Sequence, residues 1–158
     1  MSLRTPHLLW RTAGSNPYEV AKALQQARFL SGRYRSGYLE RHWSSNKEGI
    51  CYNCLQAPET IEHILISCMS YQETKKNLYN LWLSTKIPTV YQLVLSALSS
   101  DKKYLLQFIL DCSVLPTVIR AAQEHGYIIY EELFYLTRTW CFAIHKQRMK
   151  SLGRWNFQ

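Results

Sequence analysis

The sequence is poor in aspartate and lacks the short motifs that mark common catalytic sites. Its only aspartates are Asp101 and Asp111, both on a predicted helix, whereas polymerases and nucleases need paired carboxylates around two Mg²⁺ ions. The sequence contains no Walker-type phosphate loop, no GxGxxG, no GxSxG and no HExxH. We therefore expect no enzyme here, since the polymerase, RNase H and endonuclease carboxylate sets cannot be assembled.

Long hydrophobic runs are also missing. The longest apolar stretch, residues 104–114, is interrupted by Gln107 and Asp111, well short of the roughly 18 residues that cross a bilayer. Residues 1–10 lack the sustained apolar core and cleavage site of a secretory signal. We expect an intracellular protein, nuclear or cytoplasmic, with no membrane partner. Its five cysteines are an odd number, which favours thiol or metal chemistry over a closed disulfide framework.

Positive charge and apolar residues are both plentiful. The 158 residues are 47% hydrophobic and carry a net charge of +8, which indicates a globular core and favours a polyanionic partner. The charge is uneven, because residues 1–50 hold eight Lys or Arg against three Glu, whereas residues 51–100 hold three of each sign. The basic character therefore concentrates before residue 50.

Helical periodicity and capping residues predict a mainly α fold. Asn16 and Pro17 begin one helix that ends at Ser31-Gly32, and the segment 127–152 has a 3.6-residue apolar stripe with basic residues 145–150 near its end. Cys112 and Cys141 lie among apolar neighbours and are expected in the core. The other predictions are a short helix or extended arm at 33–43, a loop at 44–49, and helices at 71–83, 89–98, 101–112 and from Pro116.

The residues from 50 to 69 carry a metal-binding pattern. Cys51, Cys54, His63 and Cys68 form C-x2-C-x8-H-x4-C, and two cysteines so spaced can present both sulfurs to one ion from a tight turn. We expect a helix that begins at Pro58 and brings His63 and Cys68 together at its end. Three thiolates and one imidazole select a single tetrahedral Zn²⁺, and four protein ligands make the site structural.

Two other interpretations of this segment remain open. A C-x-x-C pair can serve redox chemistry, although that use favours a preceding strand, and Glu48-Gly49-Ile50 is typical of a turn. His63 can also be an ordinary hydrogen-bonded helix residue.

A basic and aromatic stretch precedes the metal pattern. Its arginines and lysine can neutralise phosphates, and its rings can stack on unpaired bases, a mixture that suits single-stranded RNA or a junction better than straight duplex. The alternative is that the rings pack against the helical body while the arginines are merely solvated. The predicted nucleic-acid-binding residues are Arg28, Arg33, Arg35, Arg41, Lys47, Tyr34 and Tyr52, with Tyr38 and Trp43 between them.

These segments resemble the C-terminal region of non-LTR (LINE-type) retrotransposon reverse transcriptases. The similarity is carried by residues 27–35, Leu39, Trp43, Cys51 to Cys54 and residues 57–68, and more weakly by residues 131–135 and 152–157. In that family a basic helical stretch leads into a CCHC zinc module after the polymerase thumb or an RNase H domain. The resemblance implies the same four zinc ligands, Cys51, Cys54, His63 and Cys68, and a polymerase portion elsewhere.

Together these observations predict one packed unit with three parts. They are a basic helical segment (1–44), a CCHC zinc knuckle built from a turn or hairpin plus a helix (45–70), and a helical bundle (71–158). The predicted function is to grip template RNA or target DNA so that a polymerase elsewhere can begin copying. The alternative is a zinc-stabilised helical module that binds another protein.

Overall fold

The computed structural model describes residues 7–153. The beginning of the predicted basic segment (1–6) and the predicted similarity at 154–157 lie outside the described residues. Within residues 7–153 the chain is mainly α-helical, as predicted. The helices are α1 (Leu8–Ala13), α2 (Pro17–Leu30), α3 (Gly37–Glu40), α4 (Gln72–Leu83), α5 (Pro88–Leu98), α6 (Lys102–Asp111), α7 (Pro116–His125) and α8 (Ile128–Ser151).

Most helices begin where the capping residues place them. The Asn16 side chain accepts the Tyr18 N–H at 2.9 Å, and Pro17, Pro88 and Pro116 each occupy the first turn of a helix, where the missing proline N–H costs nothing. The six-residue helix α1 was not predicted. Its first turn is capped by His7, whose ring nitrogen accepts the Leu9 N–H, and it is too short to show a periodic pattern.

Helix α8 is the centre of the fold. It contacts α1, α2, α4, α5, α6 and α7, and its buried residues form a face much broader than a single stripe, whereas Glu131 and Tyr135 on the opposite face are exposed. Cys141 on α8 and Cys112 after α6 are fully buried, which confirms both as core residues. A helix that packs through so broad a face can fix several other helices relative to each other.

Two tryptophans connect this centre to the segment that carries the metal pattern. The rings of Trp82 and Trp140 lie 4.7 Å apart between centroids, and both are fully buried. The Trp82 indole N–H donates to the Leu136 carbonyl at 3.1 Å, and the Trp140 indole N–H donates to the Leu65 carbonyl at 3.0 Å. Leu65 lies between His63 and Cys68, so the core holds the second half of the pattern in place.

Among the described residues, no single helix is both long and apolar enough to cross a bilayer. Residues 102–114 and 116–125 reach that composition only when they are counted together across a 42° bend.

Candidate metal centre

The first two cysteines lie in a tight turn, as the C-x2-C spacing predicts. The turn is closed by one antiparallel bridge between Ile50 and Pro58, with the Cys51 N–H donating to the Ala57 carbonyl at 2.9 Å. A single bridge, rather than a hairpin of full strands, forms this half of the knuckle. Leu55, directly after Cys54, has a φ of 59°, a left-handed conformation that is costly for any residue with a side chain.

The second half of the pattern differs from the expected helix in its start and its pitch. Pro58 belongs to the bridge, and the helical residues begin only at Ile61. From His63 to Ser67 the chain forms a π-helical turn, closed by a 2.7 Å hydrogen bond from the Cys68 N–H to the His63 carbonyl. Residues five apart point about 140° apart around an α-helix. The wider π turn instead brings His63 and Cys68 to the same side.

The four predicted ligands meet at one point. Their ligand atoms all lie within 4.8 Å of one another, with 3.9 Å between the sulfurs of Cys51 and Cys68 and 3.3 Å from Cys54 Sγ to His63 Nε2. A tetrahedral zinc ion would place sulfurs about 3.8 Å apart and a sulfur and a nitrogen about 3.5 Å apart. The cluster therefore has the dimensions of a single four-coordinate metal site.

Burial shifts the pKa of two of these ligands. Burial raises the pKa of the Cys51 thiol to about 12, although hydrogen bonds from backbone amides oppose the shift. Burial also lowers the pKa of His63, which favours the neutral imidazole that a metal requires. A metal that bound here would therefore displace a proton from Cys51, whereas the lowered pKa of His63 favours its neutral, ligating form.

A buried ion pair lies directly behind the cluster. Glu59 is 0% exposed, and its carboxylate accepts two hydrogen bonds from the Arg148 guanidinium, at 2.7 and 3.1 Å. It also accepts the Gly37 N–H at 2.7 Å, and it lies 3.7 Å from Cys51 Sγ. Burial alone would lower the pKa of Arg148, but the hydrogen bonds and charge interactions with Glu59 and Tyr34 together outweigh it and raise that pKa. One carboxylate thus ties α3, α8 and the metal cluster together.

The sequence does not predict this pair. A helix that begins at Pro58 would place Glu59 in its first turn, and Arg148 is one of the basic residues predicted near the end of the last helix. Arg148 does lie in the last turn of α8. Glu59 precedes the helical residues, and Arg148 is buried on α8. No local pattern marks such a pair, since 89 residues separate its members.

Three of the predicted nucleic-acid-binding arginines come together at a second feature, which we call the basic cavity. This cavity of about 480 Å³ is lined by Arg28, Arg33, Tyr34, Arg35, His145 and Arg148, among others. Arg41 and Lys47 do not line it. The Arg41 guanidinium lies over the Tyr38 ring, 3.7 Å from its centroid, and Lys47 is exposed in the turn before Gly49.

The predicted aromatic residues divide into exposed and buried rings. Tyr52 and Trp43 are 51% and 63% exposed, so each has a face that a base could reach. Tyr34 differs from the expectation of base stacking, because it is 3% exposed and its ring is stacked on Phe29 at 3.8 Å. Its hydroxyl bonds the His145 ring at 2.7 Å, so Tyr34 supports the cavity rather than offering a free face.

Comparisons of the chain with protein-family models, with curated proteins and with solved structures find no match. Residues 51–68 and the basic cavity are therefore the basis for assigning a function.

Proposed function

We propose that this chain is a zinc-stabilised helical module that binds nucleic acid, either RNA or DNA in single-stranded or junction form. In this proposal it grips template RNA or target DNA for a polymerase elsewhere, as the resemblance to LINE-type reverse transcriptases implies. The observation that carries the proposal is the gathering of Arg28, Arg33 and Arg35 at one cavity of a body fixed by the Cys3His cluster.

Zinc has a structural role in this proposal. Three thiolates and one imidazole occupy all four positions of a tetrahedral ion, so no position is left for a catalytic water. Residues 45–70 bury few apolar side chains of their own, so the free energy of metal binding would hold this segment against α8. The Glu59–Arg148 pair and the Trp140 hydrogen bond then transmit that order to the rest of the domain.

The basic residues supply the attraction to nucleic acid. Arg28, Arg33 and Arg35 are exposed and form no ion pair with a described carboxylate, so their charge is available to phosphates. Each phosphate neutralised releases counterions, which makes binding fall steeply as salt rises. The exposed rings of Trp43 and Tyr52 can each add about 1–3 kcal/mol by stacking on an unpaired base.

A second candidate function is protein binding, and one observation favours it. Tyr52, Leu55 and Met69 are 51%, 69% and 67% exposed and lie next to metal ligands in the sequence. Exposed apolar residues next to a rigid site are typical of protein interfaces. Binding through such residues would respond weakly to salt.

The experiment is a salt titration of nucleic-acid binding by the zinc-loaded chain. Fluorescence anisotropy would measure affinity for single-stranded RNA, duplex DNA and a nicked junction. We expect tightest binding to the unpaired or junction ligand. On a single strand, each phosphate that the protein neutralises should add about −0.7 to the slope of log affinity against log salt concentration. Arg33→Ala and Arg35→Ala should therefore make that slope shallower, whereas Arg120→Ala, at an exposed arginine of α7, should not.

Two results would contradict the proposal. One is affinity that is insensitive to salt, and the other is an equal loss in Arg120→Ala and Arg35→Ala. If Tyr52→Ser and Leu55→Ser leave nucleic-acid affinity unchanged but abolish association with a purified partner protein, the second candidate function is supported instead.

A further inference from the structure

The basic cavity has an unbalanced positive charge. Four of its lining residues are arginines, and none of its lining residues carries a carboxylate. Arg148 is neutralised from behind by Glu59, which leaves Arg28, Arg33 and Arg35 without an anionic partner among the described residues. Three guanidinium groups around one concavity repel each other, and a bound anion would remove that repulsion.

The backbone that carries these arginines is held in place. The N–H groups of Arg33 and Tyr34 both donate to the Arg28 carbonyl at 3.0 Å, which folds the segment after α2 back against the helix end. Tyr34 is then held by the stacking of its ring on Phe29 and by the hydrogen bond between its hydroxyl and the His145 ring. The segment that carries the arginines is therefore ordered before any ligand binds, which reduces the entropy cost of binding.

His145 lines the cavity as an uncharged ring. Burial, followed by the charges of Arg148 and Arg28, lowers the pKa of His145 to about 4. The ring is therefore neutral at pH 7 and adds no charge. An anion that enters the cavity meets three unbalanced guanidinium groups and polar ring atoms, but no opposing carboxylate.

We infer that the basic cavity binds a phosphate monoester, the group found at the phosphorylated end of a nucleic-acid strand. Guanidinium groups bind phosphate oxygens in a bidentate geometry. A terminal phosphate carries close to two negative charges at pH 7, whereas an internal diester carries one. Three unpaired arginines therefore match the strand end better. The inference rests on the proposed function only where it takes the phosphate to belong to a nucleic-acid strand.

The test compares four ligands with the full zinc-loaded chain. They are one single-stranded RNA with a 5′-phosphate, the same RNA with a 5′-hydroxyl, a nucleoside monophosphate, and inorganic phosphate. We expect the 5′-phosphate to tighten RNA binding about tenfold, since hydrogen bonds to charged groups contribute about that much. We also expect the monophosphate to displace the phosphorylated RNA. Arg33→Ala and Arg35→Ala should abolish the tenfold difference, whereas Arg120→Ala should retain it.

The outcomes separate this inference from the proposed function. Equal binding of both RNAs, with no displacement by the monophosphate, would overturn the cavity assignment and leave nucleic-acid binding intact. Binding of phosphate or the monophosphate that is lost in Arg35→Ala, without RNA binding, would support the cavity and contradict the proposed function. Thermal melts with zinc present would establish that the variants fold, as expected for exposed arginines.

Discussion

Replacing Arg148 with methionine should cause a large and specific loss of stability. The substitution removes both guanidinium hydrogen bonds to Glu59 and leaves that carboxylate at 0% exposure without a counter-charge. An exposed ion pair contributes at most about 1 kcal/mol. This pair is buried on both sides, so loss of one partner should lower the free energy of unfolding by about 3–5 kcal/mol.

A double variant tests whether the unpaired charge is the cause. In Glu59→Gln combined with Arg148→Met, the amide oxygen can still accept the Gly37 N–H, but no unpaired carboxylate remains buried. The double variant should therefore regain about 2 kcal/mol relative to Arg148→Met alone, since the penalty belongs mainly to the stranded carboxylate. If the loss came only from packing of the arginine stem, the double variant would be no more stable than the single one.

The assay is urea unfolding followed by far-ultraviolet circular dichroism. Zinc must be held at one concentration, because any ligand that binds the folded state shifts apparent stability. Arg120→Met, on the exposed side of α7, is the control and should change stability by at most about 0.5 kcal/mol. A loss below about 1 kcal/mol in Arg148→Met, or strict additivity in the double variant, would refute the reasoning.

The remaining predictions concern the metal, the turn and the buried histidine. Elemental analysis should find one zinc per chain. Chelation or Cys68→Ser should lower the melting temperature, because metal binding contributes folding energy. An unchanged melting temperature would contradict this prediction. Zinc affinity should rise with pH, since the Cys51 thiol, with its pKa raised to about 12, must lose its proton. Calorimetry of zinc binding in buffers of different ionisation heat should detect the released proton, and binding without proton release would count against this prediction. Leu55→Gly should raise the free energy of unfolding by about 1 kcal/mol, because glycine tolerates the φ of 59°. A lower free energy of unfolding, measured with urea, would argue against backbone strain at this residue. The pKa of His145, lowered to about 4 from 6.5, means that the unfolded chain takes up its proton first. The contribution of the neutral His145 ring to stability is therefore complete above pH 6.5 and is lost as pH falls toward 4. If NMR showed the ring of the folded protein titrating near pH 6.5, this prediction would be wrong.

The helices were predictable because their start signals are local. Asn16 caps two amides within three residues, and Asp101 accepts the Tyr104 N–H in the same way. The apolar stripe of residues 127–152 predicted α8 within about one residue at each end. That stripe did not show how broad the buried face of α8 is, since its breadth depends on where distant segments pack.

The metal cluster was predictable in composition but not in geometry. The C-x2-C spacing is itself a local signal, because it determines how a turn presents two sulfurs. The π turn from His63 to Ser67 has no such signal, and Pro58 reads as a helix start. Its position in the bridge is fixed by contacts of its neighbour Glu59 with Gly37 and Arg148, which lie before and after it in the sequence.

The proposed zinc site gives a reason for the arginine that lies behind it. Three thiolates around a bound Zn²⁺ would have a net charge of minus one, and Glu59, only 3.7 Å from Cys51 Sγ, adds a second negative charge in the same buried region. Arg148 is the only described cation that bonds to Glu59, and its planar fork satisfies both carboxylate oxygens. Arg148 is thereby committed to the metal side, although it also lines the basic cavity. Any selection for a doubly charged phosphate must therefore come from Arg28, Arg33 and Arg35.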